Sequence, residues 1–166
     1  MSANHYRPHV LILPEDDANR DMVIGFRRNL AMDFRQVQVE DVAGGWLELL
    51  ELFESVYVRE MDRRPNRRMV LSIDLDDDLG RLQGARARVP EHLSHRVFIL
   101  GVLSEPERLK SRLRKSYEEI GMDLAKDCQD GTDVAWGHEL LRHNAAEVER
   151  LREQVRPILF PSTESR

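Results

Sequence analysis

His9-Val-Leu-Ile-Leu13 and Met69-Val-Leu-Ser-Ile73 decide the fold. Neither run alternates apolar with polar residues, and each is too short for a buried helix. Such runs read as strands covered on both faces, the pattern of a parallel sheet with helices on either side. A third, Arg96–Leu100, ends at Gly101. Between the first two the period changes. From Ala18, Met22, Val23, Phe26 and Leu30 recur at helical spacing, with Arg20, Asp21, Arg27 and Arg28 elsewhere on the wheel. Arg35–Glu40 alternates around Val37 and Val39, as an edge or half-buried strand does. After Gly44-Gly45, the residues Trp46, Leu49, Leu50, Phe53 and Tyr57 mark a long amphipathic helix that ends near Arg63-Arg64-Pro65. Strands alternating with helices predict a three-layer α/β sandwich with a mostly parallel sheet of about four strands.

Beyond Ser104 the pattern is helical. Ser116 with Glu119, and Asn144 with Glu147, have the spacing of capping boxes. Val148, Leu151 and Val155 form one apolar row, and Ile158-Leu159-Phe160 forms a short plug. The expected organisation is an α/β body over 1–104, a helical C-terminal extension over 105–160 packed on it, and a loose tail over 161–166.

Composition narrows the class. In 166 residues, 41% are hydrophobic and 33% charged, enough apolar material for a core. Asp and Glu exceed Lys and Arg by 30 to 25, so no global basic excess advertises nucleic-acid binding. No apolar run reaches bilayer length, and Met1–Pro8 lacks a signal-peptide core, so no membrane partner and a cytoplasmic location are expected. The lone Cys128 excludes an internal disulfide framework and a Cys-rich zinc site.

The candidate chemistry lies at strand ends. Glu15 follows the first buried strand, and Asp74-Leu75-Asp76-Asp77-Asp78 follows the strand at Met69–Ile73. In a parallel sheet those ends share one edge, where open α/β folds place ligands. Converging carboxylates either share a proton or hold a cation. Oxygen donors without Cys suit Mg²⁺ or Mn²⁺. Residues i and i+2 of a strand point the same way, so Asp74 and Asp76 are expected to face one ion, with Asp78 joining if the strand continues. The competing reading is local: Asp16, Asp17 and Asn19 start a helix, and Asp74–Asp78 is a solvated turn.

These motifs resemble the TOPRIM fold, the metal-binding module of topoisomerases, bacterial primases and the overcoming-lysogenization-defect nucleases. His9-Val-Leu-Ile-Leu-Pro-Glu15 is similar to its first motif, and Met69-Val-Leu-Ser-Ile-Asp-Leu-Asp76 to its second. The likeness covers roughly residues 9–104. It implies an Mg²⁺- or Mn²⁺-dependent nuclease acting on DNA or RNA, with Glu15, Asp74 and Asp76 catalytic and Glu15, Asp74, Asp76 and Asp78 at the metal. Tyr57 and Tyr117 fall on predicted helices, so cleavage is expected rather than strand passage through a tyrosine. No phosphate-binding loop is present; if energy is needed, a separate ATPase partner supplies it, as for some TOPRIM-type nucleases.

A rival resemblance is to the receiver domain of response regulators. There Val10-Leu-Ile-Leu-Pro-Glu-Asp-Asp17 resembles the first strand and acidic pocket, Asp74 or Asp76 is the phosphoacceptor, and Ser104, or Gly101 in its place, stands where the hydroxyl residue follows the fourth strand. That reading needs a fifth strand ending in Lys; the non-enzymatic alternative is a receiver-like or degenerate TOPRIM module that acts through protein-protein contacts. For nucleic acid, the candidate phosphate contacts are Arg63, Arg64, Arg67, Arg68, Lys110 and Arg114, against the alternative of solvated helix faces.

Overall fold

The computed structural model describes residues 2–162. It is an α/β sandwich built on a four-stranded, all-parallel sheet of order β2-β1-β3-β4. The strands are β1 (His9–Pro14), β2 (Val37–Val39), β3 (Arg67–Asp74) and β4 (Val97–Val102). The two apolar runs quoted first lie side by side at its centre, with Leu11 opposite Met69 and Leu13 opposite Leu71.

Alternate residues of the central strands feed two separate cores. Leu11, Leu13, Met69, Leu71 and Ile99 face one side, beneath α2 (Trp46–Leu52), α3 (Val58–Arg63) and α4 (Gly80–Ala87). Val10, Ile12, Val70 and Phe98 face the other, against α1 (Asp17–Arg27), α7 (Ala145–Gln154) and α8 (Arg156–Leu159). A third cluster joins Met22 of α1 to Leu109 of α5 (Pro106–Leu113), to Ile120 and Leu124 of α6 (Tyr117–Asp130), and to Trp136. The C-terminal helices thus complete one entire layer of the sandwich. The expectation of a loose tail falls mainly on residues 163–166, outside the described residues.

Three local readings change. The apolar row of α1 was expected to include Leu30, but the helix stops at Arg27 and Leu30 is fully exposed beyond it. The long helix after Gly45 contains a π-helical turn, Phe53–Tyr57, that shifts its register midway. Asn144 and Glu147 do not form a capping box, whereas Ser116 and Glu119 do. β4 is an edge strand, and its unpaired groups claim both side chains. Glu147 Oε2 accepts from the Ile99 N–H (3.2 Å), Asn144 Oδ1 from the Gly101 N–H (3.1 Å), and Asn144 Nδ2 donates to the Gly101 carbonyl (2.9 Å). The N-terminal segment lies near the opposite edge, where Ala3 N–H donates to the Gln38 side-chain Oε1 and Asn4 N–H to the Arg35 carbonyl just before β2.

Candidate functional site

The connection β1-α1-β2 runs on one face of the sheet, and those from β2 to β3 and β3 to β4 run on the other. The chain therefore diverges between β1 and β3, opening a crevice at their C-terminal ends. Glu15 and Asp74 meet there. The Glu15 N–H extends the β1–β3 pairing to the Ser72 carbonyl (2.9 Å), which turns the carboxylate inward. Its Oε2 then accepts the Asp74 N–H at 2.7 Å.

Asp16 caps α1 through Oδ1, which takes the Asn19 backbone N–H and side-chain amide, each at 3.0 Å. The same amide donates to Asp74 Oδ1 (2.9 Å), while Asn19 Oδ1 accepts from the Ser72 hydroxyl (2.9 Å). The helix-cap reading and the site reading are thus both realised: capping α1 is what carries Asp16 and Asn19 to Asp74. Asn19 is 1% exposed, Asp74 6% and Glu15 7%. Beneath them an apolar cavity of about 90 Å³, bordered by Asn19, Ser72, Met22, Leu124 and Trp136, keeps the surroundings poorly polarisable.

Burial raises the Glu15 carboxyl above its ordinary range, opposed by the hydrogen bond from Asp74 N–H. Burial raises Asp74 further still; the Asn19 amide opposes this, and the neighbouring Asp16 and Glu15 charges add to it. Asp16 and Asp74 are joined through one amide, since Asn19 Nδ2 donates to Oδ1 of each. The Tyr117 hydroxyl, at the start of α6, is also pushed up, by burial first and then by Glu107, Asp16 and Asp74.

The rest of the acidic run is arranged otherwise. β3 ends at Asp74, so the two-residue strand repeat expected to align Asp76 with it does not apply. Asp76 and Asp77 adopt left-handed backbone conformations (φ +48° and +60°). Asp76 Oδ2 pairs with Arg81 Nη1 at 2.9 Å, and Asp77 Oδ1 with Arg108 Nη1 at 3.4 Å. Asp78 Oδ1 caps the Gly80 N–H at 2.8 Å, so the fourth expected ligand closes a turn. Among the described residues, no group of three or more His, Cys, Asp or Glu side chains is arranged to hold a metal ion.

The expected phosphate contacts scatter. Arg67 is 2% exposed; its Nε donates to His9 Nε2 (3.1 Å) and its Nη1 pairs with Glu60 (3.3 Å). Burial removes it from nucleic-acid contact. Arg68 is half-buried beside it on β3, and Arg63 and Arg64 end α3 at the same end of the sheet. Lys110 lies over the Tyr117 ring, 4.9 Å from its centre. Arg114 terminates α5 in a left-handed conformation.

The site contributors that sequence reasoning did not assign to it are Asn19, Ser72 and Arg81, and it placed Asp16 there only under the receiver resemblance. Ser72 had a signal, lying two residues before Asp74 on one strand face. Asp16 and Asn19 had one too, the cap spacing, which read as purely structural. The chain matches no protein-family model, no curated protein and no solved structure.

Proposed function

We propose that the crevice between β1 and β3 binds a divalent cation, Mg²⁺ or Mn²⁺, and hydrolyses phosphodiesters of DNA or RNA, as the TOPRIM resemblance implies. One observation carries the reading: Glu15 and Asp74, 59 residues apart, are hydrogen-bonded at the crevice, with Asp16 tied to Asp74 through the Asn19 amide, so that acidic groups gather where a cation would relieve their repulsion. The donors are oxygens only, the set that hard cations prefer. Asp16 and Asp74 would hold the ion, which would supply charge neutralisation and an activated water. Glu15 keeps the Asp74 main chain in place and, raised by burial, is suited to passing a proton. Asn19 orients Asp16 and Asp74 together.

The test is incubation of the purified protein with single- and double-stranded DNA and RNA in Mg²⁺ or Mn²⁺. Cleavage is expected for the wild type and a loss of about a hundredfold or more in Asp74→Asn and Glu15→Gln. Either cation is also expected to raise the wild-type Tm and leave that of Asp74→Asn unchanged. Cleavage that survives both substitutions would place the chemistry elsewhere.

The strand order favours a second reading. It reproduces the first four strands of the doubly wound 2-1-3-4-5 arrangement used by receivers, with Asp74 at the end of β3 and buried Ser104 just past β4. Against it, side chains of Asn144 and Glu147 occupy the β4 edge where a fifth strand would pair. A receiver-like module predicts an 80-Da phosphoryl adduct at Asp74 after incubation with acetyl phosphate and Mg²⁺, a mass set by the added HPO₃ group (about 80 Da). An unchanged intact mass removes it.

A further inference from the structure

We propose that Arg81 and Arg108 are the residues that seat the substrate phosphate, and that the Asp76–Asp77 turn holds both guanidinium groups at the crevice until a phosphodiester takes over. The inference rests on the phosphodiesterase reading and names the cations of that site.

Position excludes the arginine-rich run. Arg67 and Asp74 stand at opposite ends of one eight-residue strand, roughly 23 Å apart at the ordinary strand rise. A phosphate attacked beside Asp74 and Asp16 cannot touch Arg63, Arg64 or Arg67. Two other arginines are placed to do so. Arg81 lies in the first turn of α4, with Nη1 2.9 Å from Asp76 Oδ2 and 3.4 Å from the Asp74 carbonyl. Its guanidinium lies over Trp46, 5.5 Å from the ring centre, and its charge is felt by Glu15. Arg108 lies in the first turn of α5, 3.4 Å from Asp77. The two helices pack on opposite faces of the sheet, Leu82 of α4 in one core and Leu109 of α5 in another. The arginines therefore reach one turn from both sides.

The turn itself is unusual. Asp76 and Asp77 are successive non-glycine residues in the left-handed region, which L-residues rarely occupy. The backbone pins them there, with Leu75 N–H on the Val102 carbonyl (3.0 Å) and Asp77 N–H on the Leu103 carbonyl (2.6 Å). Glycine would meet that geometry with less strain. Asp at both positions adds carboxylates, and each carboxylate engages one arginine. Ion pairs this exposed contribute little to stability, with Arg81 29% and Arg108 49% accessible, so folding alone does not account for the arrangement. A phosphodiester offers the same bidentate oxygen geometry as a carboxylate and can replace it on a guanidinium. Backbone strain of this kind concentrates at functional sites.

The experiment measures fluorescence anisotropy of a labelled oligothymidylate in Ca²⁺ over a salt series, and its cleavage in Mg²⁺ and Mn²⁺. The proteins are wild type, Arg81→Gln, Arg81→Lys, Arg108→Gln and the double variant Arg63→Gln/Arg64→Gln. Arg81→Gln and Arg108→Gln are each expected to weaken binding about tenfold or more. Each should also lower the salt slope by about one, a change that a merely structural role would not produce. Arg81→Lys should recover part of the affinity, since charge returns without the fork, and should control for folding. The Arg63/Arg64 double variant should bind within about twofold of wild type. Wild-type cleavage and binding with unaltered Arg81 and Arg108 variants overturns this proposal alone. A wild type that neither binds nor cleaves under any of these conditions overturns the phosphodiesterase reading, and this proposal with it.

Discussion

Both ring nitrogens of His9 are committed. Nδ1 faces the Arg7 carbonyl at 2.8 Å, so it carries the proton, and Nε2 accepts from Arg67 Nε at 3.1 Å. Protonating Nε2 would set two donors against each other in a fully buried position. Burial is the main cause that holds the His9 pKa below its ordinary value; the Arg67, His5 and Arg64 charges add to it, and the Arg7 carbonyl opposes it. A depressed folded-state pKa means stability is complete above the unfolded value, near 6.5, and is lost as pH falls towards the folded one. Asp74 and Glu15, raised in the fold, act in the opposite direction in both proteins, so the check is the difference: from pH 7 to pH 5 the stability of the wild type relative to His9→Gln is expected to fall, by urea titration at each pH. At this scale the sequence was readable where a residue's role follows from strand direction. Glu15 and Asp74 are of this kind, since both follow apolar runs that had to be parallel. Asp76 and Asp78 were legible only in the competing reading of a solvated turn, because the backbone leaves the strand at Asp74; nothing in Asp-Leu-Asp-Asp-Asp announces that the turn is left-handed. Arg67 looked exposed by type, yet a buried histidine and Glu60 make its burial tolerable.

Helix α6 lies against α1 at a distance set by two glycines. A methyl group at Gly121 would overlap the Met22 carbonyl oxygen, and one at Gly25 would overlap the Glu118 carbonyl. Neither neighbour is a side chain that can swing aside. Gly121→Ala is expected to destabilise the protein by about 3 kcal/mol despite its better helix propensity, read as a lowered urea midpoint at unchanged slope. Because α1 carries Asp16 and Asn19, the same substitution should displace them from Asp74, to be seen as weaker cation binding. Strand positions were legible in the sequence because burial on both faces leaves an unbroken apolar signature. Helix ends were less so. Asn144 and Glu147 had the spacing of a cap, but an uncovered strand edge a few ångströms away offered stronger obligations, and only the fold reveals that edge.

On the scale of the molecule, the α/β body and the helical extension share their interior. Val10, Ile12, Val70 and Phe98 pack on Leu151, Val155 and Leu159. A chain ended after Ser104 would leave that face of the sheet in water, and it is expected to show no cooperative thermal transition and to precipitate, whereas the full chain melts in one step. The division of the sequence near Ser104 marks a change of pattern. The packing crosses it. The β4 margin of the sheet is finished from within the polypeptide, by Asn144 and Glu147. A foreign strand approaching there finds the Ile99 and Gly101 groups already engaged. On that side the molecule is guarded against strand-by-strand growth into fibres.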